Sequence, residues 1–221
     1  GVTISNERPA RMAILANKIV VVNAPSVNLF IDPFTARARV LSIAGPSVAP
    51  SVVAGNPGSF DGPYRFYFTY AILDPDGDIL TESPASPIAG PVTLSNRQAS
   101  LSNISTSSTA DVNARIVYMT VAEEGAVFFE ADRILNNTAT TDVINSSDFD
   151  LGLLAAANPK GNPPGVDGTD RFRLIAAWKD RLFASPLNNP HLVYVSGNRA
   201  ISNWAESQRF TVKIDGEDEF G

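Results

Sequence analysis

The sequence predicts an all-β chain, with a β-sandwich inserted between two β-propeller-blade-like segments. Three observations carry this. Tyr64, Phe66, Phe68 and Tyr70 recur at period two in a run dense in aromatic and β-branched residues. Short apolar runs separated by turn residues follow at close intervals. Finally, a strand pattern near the N-terminus recurs near the C-terminus, and no part of residues 64–142 has a helical period.

In chain order, residues 1–46 form the first blade-like segment. Residues 11–23 read as two apolar strands around a polar Asn17-Lys18 hinge, and a third strand follows a proline-containing turn at Asn28-Leu29-Phe30-Ile31-Asp32. Residues 47–62 are rich in Gly, Pro, Ala, Ser and Val with few charges, and are expected to be a semi-rigid linker. Residues 63–150 form the sandwich. Its first strand starts at Tyr64 and ends at Asp74-Pro75-Asp76-Gly77-Asp78, where Pro presets a turn dihedral and Gly supplies positive φ.

Further strands are expected at 91–94, 99–104, 114–122 and 126–134, with Glu123-Glu124-Gly125 as the turn between the last two. Such a stretch suits a fibronectin- or immunoglobulin-like module, which normally runs to about 100 residues. The absence of cysteine favours the kind without a disulfide. Residues 151–170, with Pro159, Pro163 and Pro164, are expected to be a second linker. Residues 171–221 form the second blade-like segment, which reads as cut short.

The two flanking segments align without a gap. Asn17-Lys18-Ile19 falls on Asp180-Arg181-Leu182, and Leu29-Phe30-Ile31 falls on Leu192-Val193-Tyr194. Each copy has an apolar strand, a polar-basic hinge, a second apolar strand, a proline-containing turn and a third strand ending in a polar residue. A propeller blade has this form, and it needs neighbours stacked around an axis to bury its faces. Two blades do not close a propeller of about four or more. The chain is therefore expected to belong to a longer polypeptide, or its blades to pair with other subunits.

Composition excludes several functions. A net charge of −6, a pI near 4.8 and the lack of a basic run argue against a phosphate-binding surface, whose affinity rests on Lys and Arg. No apolar run of about 18 residues offers a membrane span. With no cysteine and one histidine, thiolate metal sites and thiol catalysis are out. His191 follows Pro190 and reads as a turn residue rather than a base. No Gly-x-Ser-x-Gly elbow or phosphate loop occurs, so no enzymatic activity and no cofactor are expected.

Two acidic clusters are weak calcium candidates. Asp74, Asp76 and Asp78 flank a Gly turn but lack the spaced Glu of an EF-hand. Asp215, Glu217, Asp218 and Glu219 form the densest acidic run, with Asp215, Glu217 and Asp218 as its candidate ligands. Solvated turns are the simpler reading of both.

Leu174 to Trp204, with Trp178, Asp180-Arg181-Leu182-Phe183, Val193-Tyr194-Val195-Ser196-Gly197 and Asn203-Trp204, resembles the propeller segment of virion proteins related to the tail nozzle of short-tailed bacteriophages. Asp215-Gly216-Glu217-Asp218 fits the acidic glycine turn that follows in them. The stretches Tyr67-Phe68-Thr69-Tyr70, Glu82-Ser83-Pro84-Ala85-Ser86-Pro87, Ala114-Arg115-Ile116-Val117-Tyr118-Met119-Thr120 and Thr140-Thr141-Asp142 look like the fibronectin-like insert of the same proteins.

The resemblance implies a structural tail protein of the virion. It would assemble as a homo-hexameric ring, dock with an adaptor, portal or tail fibre, and form a conduit for genome ejection. Asp215, Glu217, Asp218 and Glu219 are then candidates to line the channel, where like charge would keep passing DNA from sticking. An alternative reading is a secreted or cell-surface module that presents sandwich and blade loops to a glycan or protein. A third is a propeller hydrolase whose active residues lie in other blades.

Overall fold

The computed structural model describes residues 9–23, 28–122, 127–153, 171–201, 204 and 209–212. These are all-β except for one short helix, α1 (Asp148–Leu153). The chain divides into two compact units, residues 43–160 and residues 1–42 together with 161–221.

The split unit holds two four-stranded antiparallel meanders. One is β1 (Arg11–Leu15), β2 (Lys18–Val22), β3 (Asn28–Asp32) and β4 (Arg37–Val40). The other is β11 (Phe172–Trp178), β12 (Arg181–Pro186), β13 (Leu192–Val195) and β14 (Arg209–Thr211). The internal repeat is visible in their turns. Ala16 and Asn17 join β1 to β2 with φ of 48° and 57°, and their repeat counterparts Lys179 and Asp180 join β11 to β12 with 45° and 58°. Two successive positive φ values make the two-residue hairpin turn that matches strand twist, and among residues with a side chain Asn and Asp tolerate that conformation best.

Strands β1 and β2 lie against β11, so chain ends remote in sequence share one core. Val20, Val22, Phe30 and Leu41 are buried in the first meander, and Phe172, Leu182, Tyr194 and Trp204 in or beside the second. The Phe172 ring lies 5.3 Å from that of Trp204, whose indole N–H donates to the Ile201 carbonyl at 2.7 Å. The two meanders are also tied by a hydrogen bond from the Phe172 N–H to Asn28 Oδ1 at 3.3 Å.

The middle unit is one six-stranded sheet. Strands β5 (Ser51–Leu73), β6 (Ile79–Glu82), β7 (Ala89–Ser102), β8 (Ala114–Met119), β9 (Phe129–Ile134) and β10 (Asp142–Ile144) pair antiparallel in the order β10-β7-β5-β8-β9, with β6 also on β5. Its two end strands, β9 and β10, approach each other, so the sheet curls and its two halves serve as the layers.

Residues 51–62, within the expected linker at 47–62, are the first half of β5. Their small residues serve close pairing rather than flexibility. A Cβ on Gly58 would stand 2.6 Å from the Gln98 backbone nitrogen, a separation real Cβ atoms do not tolerate. Register shifts between Ala54 and Pro57 and between Pro57 and Phe60 are the bulges that bend the strand. The expected strand 91–94 and residues 99–102 of the expected strand 99–104 merge into β7, which ends at Ser102. The expected turn at Glu123-Glu124-Gly125 lies outside the described residues, as does the second linker beyond Leu153; residues 151–153 at its start end α1.

Every residue from Phe66 to Leu73 is buried, so both faces of β5 are covered here, where the period-two aromatics promised one. One face carries Phe66, Phe68, Tyr70 and Ile72. On the other, Tyr67, Ala71 and Leu73 cluster with Ala114, Ile116 and Tyr118 of β8. Beyond β6, the segment Ser83-Pro84-Ala85-Ser86-Pro87 continues along β5 without a regular ladder, because proline lacks an N–H. Its serines compensate. Ser83 N–H donates to the Tyr70 carbonyl and Ser86 N–H to the Phe68 carbonyl, while Ser83 Oγ and Ser86 Oγ accept the N–H groups of Tyr70 and Phe68 at 2.9 and 3.1 Å.

Helix α1 begins at a side-chain cap, with Ser147 Oγ accepting the Asp150 N–H at 3.1 Å and donating to Asp150 Oδ2 at 2.7 Å. Asp148 fixes it to the sheet by accepting from the Tyr64 hydroxyl at 3.0 Å and from the Ala122 N–H at 3.3 Å. Burial and this carboxylate push the Tyr64 hydroxyl up to about 12.

Candidate functional site

The hairpin at 74–78 forms as the sequence requires, and its first carboxylate is used locally. Asp74 Oδ1 accepts the N–H groups of Asp76 at 3.0 Å and Asp78 at 2.8 Å, an Asx turn closed by Gly77 at φ 87°. Its Oδ1 is thereby committed to backbone donors, while Asp76 and Asp78 are exposed. Among the described residues no group of three acidic or histidine side chains is placed to hold a metal. Asp215, Glu217, Asp218 and Glu219, as calcium or channel-lining candidates, lie outside the described residues. His191 is half-buried immediately before β13, and its carbonyl accepts the Val212 N–H at 2.8 Å.

The charged residues that the fold brings inside are different ones. Glu82 ends β6 and is 2% exposed. One of its oxygens, Oε1, accepts the Thr69 hydroxyl from β5 at 2.7 Å and the Tyr118 hydroxyl from β8 at 2.6 Å, so it joins three strands. The Tyr118 ring stacks on Tyr67 at 4.9 Å, and Phe128 covers Tyr67 at 4.6 Å. Burial, with Glu82 nearby, raises both tyrosine hydroxyls well above their ordinary value. Neither serves as an acid or base near neutral pH.

Arg133 on β9 pairs with Glu130, donating from Nε at 2.5 Å and from a terminal nitrogen at 3.2 Å, and it also donates to the Gly77 carbonyl at 2.7 Å. It thus holds the acidic hairpin turn against β9. The Glu130 carboxylate raises the Arg133 guanidinium further above its ordinary value.

A second polar group sits on the opposite face of β8. Arg115 is fully buried, and its terminal nitrogens donate to the Ser105 carbonyl at 3.4 Å and Asn136 Oδ1 at 3.2 Å. Burial pulls this guanidinium down, opposed by Tyr70 and Asp142. The Tyr70 hydroxyl lies 2.7 Å from Ser105 Oγ and donates to the Thr106 carbonyl at 3.1 Å.

Chemically these groups brace strands. The hydroxyls of Thr69, Tyr70 and Tyr118 are each engaged by a neighbour, which leaves them poor nucleophiles. Sequence reasoning passed over Glu82 and Arg115 as members of longer motifs. The available signal was a charge in an otherwise apolar strand, as Arg115 is in β8, since buried charges must be paired or hydrogen-bonded. No protein-family model matches the chain, and no curated protein matches it either.

Proposed function

We propose that this chain is a structural protein of a tailed bacteriophage virion, a component of the tail nozzle that assembles as a ring and conducts the genome during ejection. The observation that carries the reading is the split unit. Two meanders from opposite ends of the chain share a core, repeat the same two-residue turn at the same repeat position, and bracket an all-β insertion. That order is the one the sequence motifs resemble.

Two blade-like sheets leave apolar surface that further blades or neighbouring subunits would cover. Met12 and Ile14 on β1, and Leu174 and Trp178 on β11, are all exposed. In this reading no residue is catalytic, no cofactor is held, the ring is a homo-hexamer docked to an adaptor or tail fibre, and DNA passes without specific contacts. Charge distribution agrees with the last point in the middle unit, where thirteen acidic residues face five basic ones across 43–160, against ten and twelve in the split unit. Immunogold labelling of intact virions with antibody against this chain tests the reading. Label at the tail tip is expected; label absent from tails, or confined to a cell envelope, overturns it.

A further inference from the structure

A meander has two faces, and residues paired across antiparallel strands lie on the same one. In the first meander one face carries Ala13, Leu15, Val20, Val22 and Phe30, all buried. Asn28 shares that face, and its Oδ1 accepts the Phe172 N–H, so it is the face turned toward the second meander. In the second meander the buried face carries Leu182, Ala184 and Tyr194, and the Tyr194 ring lies 6.1 Å from that of Phe172. These two buried faces therefore meet.

They are faces of different kinds. Under the repeat alignment, Leu182, Ala184 and Tyr194 are the counterparts of Ile19, Val21 and Ile31, which lie on the other face of the first meander. One face of one meander thus packs on the opposite-type face of the next, as stacked propeller blades do. Such packing leaves one face of each kind uncovered at the two ends of the stack.

Both uncovered faces are apolar. On the second meander, Leu174, Trp178, Phe183, Val193 and Phe210 share the outer face across all four strands. Trp178 is 61% exposed, whereas its repeat counterpart Leu15 is 7% exposed under the neighbouring meander. The Trp178 ring meets Phe183 at 6.1 Å and the exposed Lys179 ammonium at 4.5 Å, a flexible charge suited to the rim of a contact. On the first meander the outer face is open at β1, where Met12 and Ile14 are each 68% exposed. Ile19 and Ile31 are half-buried beside them, and Val21 and Leu29 are buried.

We propose that the Trp178 face of the second meander docks on the Met12 and Ile14 face of another copy of this chain. The contact repeats between copies the stacking that joins the two meanders within one. It is heterologous, because each copy offers one kind of face and receives on the other, so copies add head to tail until rotation closes a ring. Large apolar side chains such as Trp178 and Met12 are the residues that anchor such contacts. The proposal deepens the ring assembly of the reading above and is independent of its virion setting.

The test is the mass in solution of the full native chain, of Trp178→Glu and of Ile14→Glu, by sedimentation and light scattering. The native chain should assemble, and each variant alone, lacking one of the two faces, should run as a monomer. An equal mixture of the variants still holds one intact face of each kind, so it should form a dimer of twice the 23.5 kDa chain and grow no further. A native chain monomeric up to about 100 μM overturns the proposal whatever the variants do. Assembly that persists in either variant, or a mixture that stays monomeric, also overturns it. A monomer in solution beside label at the tail tip would overturn this contact and leave the virion reading standing; the dimeric mixture beside label absent from tails would do the reverse.

Discussion

Glu82 shows how one side chain sets the geometry of three strands. Its Oε1 accepts hydroxyls from Thr69 and Tyr118, so removing the carboxylate strands two buried donors. Glu82→Ala is expected to cost about 2–4 kcal/mol, measured by urea unfolding, with Glu82→Gln costing less because an amide oxygen still accepts. An alanine variant as stable as the native chain would contradict this. Ser86→Ala and Ser83→Ala, which remove acceptors for the Phe68 and Tyr70 N–H groups, should each cost about 1 kcal/mol in the same measurement. At this scale the sequence was readable where chemistry is local, as in the Asp74 turn. It was not readable where partners such as Thr69 and Tyr118 are 13 and 36 residues from Glu82 and only the sheet register joins them.

Period-two aromatics located the second half of β5, and apolar runs beside turn residues located β2, β3, β8 and β12, because alternation and turn chemistry are local signals. The first half of β5 escaped for a physical reason. Gly55, Pro57 and Gly58 are linker-like in composition, yet here they allow bulges and a close approach to β7. The hinges between β1 and β2 and between β11 and β12 offer a direct check on the repeat. Ala16 and Lys179 both hold positive φ, which costs a side chain free energy that glycine does not spend. Ala16→Gly and Lys179→Gly should therefore each stabilise by about 0.5 kcal/mol in urea unfolding. A clear loss at either position would mean the two hinges are not equivalent turns.

At the scale of the whole molecule, two blade-like meanders share one core while the insertion holds all of the net negative charge, the split unit carrying more basic than acidic residues. The fold class and the repeat were legible because both rest on periodicity. The proposed ring assembly is not legible in the same way, because it would depend on exposed residues such as Met12, Ile14, Leu174 and Trp178 meeting partners that composition does not name. The central claim, a ring conduit, is tested most directly by the symmetry of the assembled native particle in electron microscopy. The account predicts six copies around an axial channel at the end of a virion tail. A lone monomer, or copies arrayed on a cell surface without a channel, would contradict it.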